Sequence, residues 1–518
     1  MEVLQETAAR SKAGQAASAH RRIHPFIWDI GITTVAGILI LIAGLVVVSL
    51  IGRWMGAVAV GEYLLLRRVA AWLSSGMQLG MGIALPRYVA RCVDQGRKAQ
   101  LGYLASALLC LLTIAAALGL LLLAGKHIFA AWLFGSPERV NLISPLVWTL
   151  LGLAAMAGIY GFYRGCLDMV VANAMQITNF AVIPIASVAL LHRSHSIASI
   201  VVVNGIAWFL ASTAFLIPLT REFSFVKLPN LRPVTWELLR YGIARVPGDF
   251  AGNALFALGP VLAAHYLPMS EVSNLLLGLG LLMAISLSVT PFSTVLLSKI
   301  SMIIARNQMQ ELKRYLEQFT AGILELSVFG CLQVVVFAGV LVRVWMGNEY
   351  LKGIEVIRIT LLSIPFFLFY VAVRSAIDAA AVVAHNAHNG YVALAVFLLL
   401  SGLATWLLPR AWLLDSIAVA LMIANAVLAW RTSHVAHKLL GVRIRWKDCA
   451  LPILLAIVLG SVSYFLCRQL RPQFELPAFL VIELGAVGVF LWLSDKLGST
   501  WLRYFWRLLV RSETSVSI

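Results

Sequence analysis

The sequence predicts an all-α polytopic membrane protein of about 14 transmembrane helices, arranged as two parallel six-helix bundles around a central cavity with a C-terminal helix pair beside them. Three observations lead there. Of 518 residues, 61% are hydrophobic and only 12% charged, and mean hydropathy is +0.90. A soluble domain carries about 25% charged residues, so a surface with half that share would not stay in water. Apolar runs of roughly 17–25 residues, each long enough to cross a bilayer, recur along the chain between short polar breaks. Finally, the chain repeats part of itself at an offset of about 210 residues.

The elements follow in order. Residues 1–26 are a polar tail with Arg10, Lys12, Arg21 and Arg22. The next run is too long for a signal peptide and has no small-residue cleavage site, so it is expected to remain as the first span. The first bundle, 27–219, holds the runs 27–52, 61–86, 101–125, 140–163, 169–191 and 197–219. A polar stretch, 220–235, with Pro229 and Pro233, reads as a cytoplasmic linker. The second bundle, 236–433, holds 236–265, 274–298, 316–342, 354–378, 389–409 and 413–433. A cytoplasmic loop, 434–448, leads to the pair 449–467 and 477–495, together 449–495, and a cytoplasmic tail, 496–518.

An even number of spans places both termini on one side, and the basic residues decide which. Lys and Arg outside the spans favour the side of the termini by about three to one, with Arg87, Arg91, Arg97 and Lys98 after the second run and Arg443, Arg445 and Lys447 after the twelfth. Both termini are therefore expected in the cytoplasm. Most of the net charge of +17 is orientation signal, some of it expected to touch anionic lipid heads, and nucleic acid is not an expected partner. Six cysteines form no CxxC pair, and the spaced histidines His385/His388 and His434/His437 have no nearby cysteine or carboxylate, so neither a disulfide framework nor a metal site is expected.

In the repeat, Tyr160, Arg164, Asp168 and Asn179 meet Tyr370, Arg374, Asp378 and Asn389. Both six-span halves start in the cytoplasm, which makes them parallel repeats enclosing a cleft that can open to each side in turn.

Ionisable residues within the spans point to function, because a charge at mid-bilayer costs about 2.5–3.5 kcal/mol. Arg245 lies deepest, about 13 Å into its span, with Asp249 one turn on and Pro247 and Gly248 between them. The alternative to a cavity-lining role is an ion pair at a kink. Arg164 with Asp168, and Arg374 with Asp378, have the spacing of i,i+4 pairs at cytoplasmic helix ends. Arg67 and Arg68 point about 100° apart, so at most one faces squarely into a cleft. Asp29 and Glu325 have no obvious sequence partner, and Arg358 sits near an interface. The excess of arginine over carboxylate implies an anionic guest, since the guanidinium fork binds phosphate and keeps its charge when desolvated. No phosphate loop, nucleophile elbow or metal triad occurs, and no outward loop is large enough for a catalytic domain, so transport rather than enzymatic chemistry is expected.

The segment GRWMGAVAVGEYLLLRRVAAWLSSGMQLGMGIALPRYVA, from Gly52 to Ala90, resembles the N-terminal signature of polysaccharide-biosynthesis flippases, the Wzx-type members of the multidrug/oligosaccharidyl-lipid/polysaccharide exporter superfamily. Gly61, Glu62, Tyr63, Gly80, Leu85, Arg87 and Tyr88 carry the match, and Leu239–Ile304, with Tyr241-Gly242 and the EVSN turn at Glu271, resembles a second-half counterpart. The resemblance implies translocation of an undecaprenyl-pyrophosphate-linked oligosaccharide to the periplasmic leaflet of the bacterial inner membrane, for exopolysaccharide, capsule or O-antigen assembly. It implies a cationic cavity for the pyrophosphate and sugars, here assigned to Arg245, then Arg374, Arg164 and Arg67 or Arg68. No cofactor is implied beyond proton or sodium coupling through Asp249, Asp378 or Asp29, with Asp168 as a pairing residue. A polymerase and chain-length machinery are the implied protein partners. The competing readings are a cation-coupled multidrug or major-facilitator exporter, and a membrane enzyme or scaffold of glycan assembly.

Overall fold

Long apolar runs in lipid leave the backbone no hydrogen-bond partner but itself, and every regular element among the described residues is helical. The computed structural model describes residues 2–194, 196–219, 231–243, 246–287, 289, 300, 309–381, 384–469 and 475–497, with side chains from Asp29 onward apart from residues 30, 311, 467, 469, 475 and 476. The first half comprises α1 (Glu2–Met77), α2 (Met81–Arg91), α3 (Arg97–Ala124), α4 (Lys126–Phe134), α5 (Ile143–Gly165), α6 (Met169–Ile177), α7 (Ile183–Leu191) and α8 (Ile197–Ala214). The second comprises α9 (Leu231–Gly242), α10 (Val246–Tyr266), α11 (Met269–Ser286), α12 (Met309–Val336), α13 (Ala338–Trp345), α14 (Ile354–Leu361), α15 (Ile364–Ala380), α16 (His385–Leu407) and α17 (Arg410–Leu440). The terminal pair is α18 (Trp446–Gln469) and α19 (Glu475–Lys496).

Among the described residues, eleven helices are long and apolar enough to span a membrane, or twelve if the bent pair Asn348–Leu361 and Ile364–Ala380 counts as one. The difference from the expected number has local causes. The first two runs form one apolar stretch, Gly31–Met77, 47 residues long. At 1.5 Å per residue it would reach about 70 Å, more than twice a hydrocarbon core of about 30 Å. It is interrupted at Gly56, whose φ of 85° and ψ of 179° lie outside helical geometry. A side chain there would be strained, and the pieces on either side are each long enough to cross.

The expected span 236–265 is instead two helices. The short amphipathic α9 takes up the end of the expected linker and buries Leu238 and Gly242, while α10 starts at Val246. Asp249, Asn253 and the glycines of α10 lower its hydropathy, but it is packed in protein along much of its length, burying Ala251, Ala254, Leu255, Phe256, Ala257 and Val261. A helix that meets protein on most sides needs little grease of its own. Likewise the expected loop 434–448 is partly helical, since α17 runs on to Leu440.

Helix pairing repeats between the halves. α3 packs on α5 as α12 packs on α15, α5 lies along α8 as α15 lies along α17, and α7 meets α8 as α16 meets α17. Side chains repeat as well. Asn179, fully buried in a π-helical turn between α6 and α7, donates to Met175 O (3.0 Å) and Ser212 Oγ (3.3 Å). Its counterpart Asn389, equally buried, accepts from Arg431 Nε at 3.2 Å, so in each half it ties the fifth expected span to the sixth. Contact between halves runs chiefly from α1 to α10 and α11. Gly61 lies so close to Met269 that a Cβ would overlap it. Near the end of the first expected span, Trp345 Nε1 donates to Leu45 O at 2.8 Å and Ser49 Oγ donates to Trp345 O at 2.6 Å.

The outer face is apolar. Trp406, Leu190 and Leu484 are 82%, 78% and 75% exposed, a surface that hydrocarbon solvates and water does not.

Candidate functional site

The cleft is built where α1 crosses α10. From Arg67 the positions Ala71, Ser74, Ser75 and Gln78 follow at intervals of four, seven, eight and eleven, which places them on one face of the helix. These small and polar groups face α10 and border a cavity of about 300 Å³ that Asp249 and Asn253 close from the opposite side. Trp72 against Phe250, with ring centroids 5.2 Å apart, holds the two helices together at its edge.

Arg67, one turn before Ala71, is exposed, and its guanidinium lies over the Tyr63 ring at 5.6 Å. Arg68 is half-buried next to it. Neither makes an ion pair or a hydrogen bond among the described residues. Arg245, on which the sequence reading placed most weight, lies outside the described residues.

Asp249 links the cavity to the second half. The Tyr370 hydroxyl lies within the electrostatic reach of Asp249, Asp378 and Arg374, and the Arg374 guanidinium sits 5.9 Å from the Tyr370 ring centroid. Gly248 abuts Ala387 at the start of α16, where a Cβ would collide with the Ala387 Cβ. Arg374 and Asp378 do share one helix, yet no ion pair joins them among the described residues. Asn386 Nδ2 bridges them instead, donating to Arg374 O and to Asp378 Oδ1, each at 2.8 Å. The guanidinium is thus left exposed while the carboxylate is anchored.

The matching pair in the first half has a different geometry, and the expected i,i+4 pairing is corrected. α5 ends at Gly165, Leu167 takes a left-handed φ of 61°, and the chain turns before Asp168. Asp168 caps α6, its carboxylate accepting from Val171 N at 3.2 Å. Arg164 stacks on its own Tyr160 at 5.4 Å. Of the remaining charges, Arg358 pairs with Glu355 at 2.8 Å and donates to Val335 O, Glu325 is buried in α12, and Asp29 is half-buried near the start of the first span.

Below the cavity the halves are clasped. Arg87 Nη1 donates to Tyr241 Oη at 2.5 Å, and Tyr103 Oη donates to Glu237 Oε2 at 2.5 Å. Tyr88 stacks on Tyr103 and meets Tyr241 edge-on. The residues of the sequence signature therefore largely build the contact between halves. Sequence reasoning missed Ser74, Ser75, Gln78 and Asn253. The signal available was their helical spacing from Arg67 within an otherwise apolar run.

Fold and site define the class: a multi-pass membrane protein with the architecture of the multidrug/oligosaccharidyl-lipid/polysaccharide superfamily. The lipid II flippase MurJ in an inward closed conformation superposes on 92% of this chain and 99% of its own, with a TM-score of 0.71 and 16% identity. A eukaryotic MATE transporter, AtDTX14, covers 84% of this chain and 98% of its own at a TM-score of 0.59 and 11% identity. The Vibrio cholerae MATE transporter VcmN covers 80% and 96% at 0.53 and 16% identity. Sequence supplies the particular family: the polysaccharide biosynthesis protein family matches residues 27–304, more than half of the chain, and the chain belongs to that family. No curated protein matches the chain by sequence.

Proposed function

We propose that this protein is a flippase that moves an undecaprenyl-pyrophosphate-linked oligosaccharide from the cytoplasmic to the periplasmic leaflet of the bacterial inner membrane, supplying exopolysaccharide, capsule or O-antigen assembly. Two six-helix bundles, 27–219 and 236–433, would rock about the cleft with both termini cytoplasmic. The observation that carries this reading is the adjacent pair Arg67–Arg68 at the cleft, with no protein anion among the described residues. Two unneutralised guanidinium groups inside a membrane are costly unless a guest brings the compensating charge. Pyrophosphate does so with paired, charge-assisted hydrogen bonds. To the same basic set we assign Arg374, Arg245 and Arg164. Asp249, Asp378 and Asp29 are the carboxylates through which a proton or sodium gradient would act, and a polymerase with chain-length machinery would take the product.

The test is complementation of a strain deleted for the gene. The unaltered protein should restore polymer export, whereas R67A/R68A should insert normally and leave the lipid-linked oligosaccharide on the cytoplasmic side. Normal export by that variant, or a deletion that changes only drug susceptibility, would overturn the proposal.

A further inference from the structure

The helix α9 carries the clasp residues Glu237 and Tyr241, and it buries Leu238 and Gly242 on its inner side. Arg232, Trp236 and Arg240 follow one another at intervals of four along the opposite side, and all three are exposed, Trp236 by 65%. Glu237, the one acidic residue of the helix, is engaged by the Tyr103 hydroxyl, so the outer strip is cationic around an indole. Arg91 adds to the same charge from α2, lying over the Tyr88 ring that meets Tyr241 edge-on.

The height of this strip relative to a bilayer follows from α3. That helix is 28 residues long, about 42 Å, and exceeds a hydrocarbon core of about 30 Å by roughly two turns. Arg97 and Lys98 place the excess at its start. Leu231 O accepts from Ser106 Oγ at 3.5 Å, and Leu109, one turn on, is the first large apolar side chain that α3 exposes, at 60%. The strip therefore lies along the boundary between headgroups and hydrocarbon, where indole rings settle. An amphipathic helix at such a boundary usually sinks its apolar face among acyl chains, but here α2 and α3 take up that face, and what remains for lipid is charge. We infer that the strip Arg232–Trp236–Arg240 docks on the headgroups of anionic phospholipids in the leaflet beside it. A guanidinium fork pairs with a phosphodiester, whereas a zwitterionic headgroup offsets that attraction with its own ammonium. The lipid so held grips the helix that carries both clasps.

The test places a bimane dye on full-length I243C in a cysteine-free background, since Ile243 is 49% exposed and lies two turns from Trp236 on the same side. The protein is reconstituted in vesicles of phosphatidylcholine with a minority of phosphatidylglycerol, and bromine on the acyl chains of one lipid or the other, at equal total bromine, quenches the dye. At low salt, brominated phosphatidylglycerol should quench as though enriched about fivefold for each arginine engaged, and added salt should reduce the preference. R240Q should lower the enrichment about fivefold, and R232Q/R240Q should bring the two lipids to parity. Both arginines are exposed, so melting temperatures should hold. Arg232 has a further interaction within the protein, so R240Q alone decides if the double variant melts lower. Equal quenching by both lipids with the strip intact, or enrichment that survives in the variants, overturns the docking. Quenching by neither lipid also overturns it, placing α9 clear of the bilayer and leaving the strip to a soluble acidic partner.

Discussion

Arg87 on α2 donates to the Tyr241 hydroxyl at 2.5 Å while its guanidinium lies 4.6 Å from the centre of the same ring, across 154 positions of sequence. One side chain therefore joins the first half of the protein to the helix that leads into the second, by a hydrogen bond and a cation–π contact at once. Tyr103–Glu237 makes a second clasp beside it. The alternating-access cycle proposed above requires these contacts to break when the side we assign to the cytoplasm opens. R87A should shift the balance toward the open form by about 1–2 kcal/mol, roughly five- to thirtyfold in population. Y241F, which keeps the ring and loses the hydroxyl, should give a smaller shift. The check is the rate at which a cysteine at Gln78, in a cysteine-free background, reacts with a cytoplasmic thiol reagent. An unchanged rate in R87A would show that the clasp does not hold the closed form.

Gly80 should tolerate no side chain. Its φ of 71° is left-handed, and a Cβ would run into the Gly242 backbone. Backbone cannot move aside as a flexible side chain can, so G80A is expected to cost about 1–3 kcal/mol and to separate α2 from α9. Gly44, helical and with nothing within 4 Å of its added Cβ, provides the control, and G44A should be neutral. Melting temperatures of the two purified variants compare them directly.

These two glycines also show what the sequence could and could not reveal. Spans are legible because lipid accepts little but apolar helix, so composition alone yields the class and most of the helices. The repeat was legible through Tyr160–Arg164 and Tyr370–Arg374, which stack alike in both halves. What followed those arginines was not, because the i,i+4 rule presumes a continuous helix and Leu167 ends it before Asp168. The division of 236–265 into α9 and α10 was hidden by the same logic: an amphipathic surface helix and a protein-buried helix average to an ordinary span. The hydroxyl-lined face of α1 depends on which neighbour it meets, and Asn253 joins it from 175 positions beyond Gln78, a distance that no local pattern bridges.

Asn386 is expected to matter beyond its size. A single amide holds both the Arg374 carbonyl and the Asp378 carboxylate at 2.8 Å, and it fixes the junction between α15 and α16. N386A removes both bonds and should lower stability by about 1–3 kcal/mol. N386D places a carboxylate against Asp378 and should be worse. Export by the deletion strain carrying each variant, normalised to protein in the membrane, ranks them; equal export by N386D and the unaltered chain would contradict the bridge.

The two adjacent arginines at the cleft should separate by function. Arg67 is exposed, with its guanidinium over Tyr63, whereas Arg68 is half-buried beside it. If Arg67 is the anion's partner, R67M should weaken binding of undecaprenyl pyrophosphate by about 1.5–3 kcal/mol, roughly ten- to 150-fold, with R67K recovering part of it as a point charge without the paired geometry. Arg68 carries a desolvation cost and a like-charged neighbour with no protein anion among the described residues. R68M should relieve both, and the empty protein should melt at a higher temperature while its binding falls less than in R67M. Binding and melting measured on the same preparations decide the matter. A stabilised R67M together with a non-binding R68M would exchange the two roles, and loss of binding in neither would move the anion site to Arg374 and the deeper basic residues of the second half.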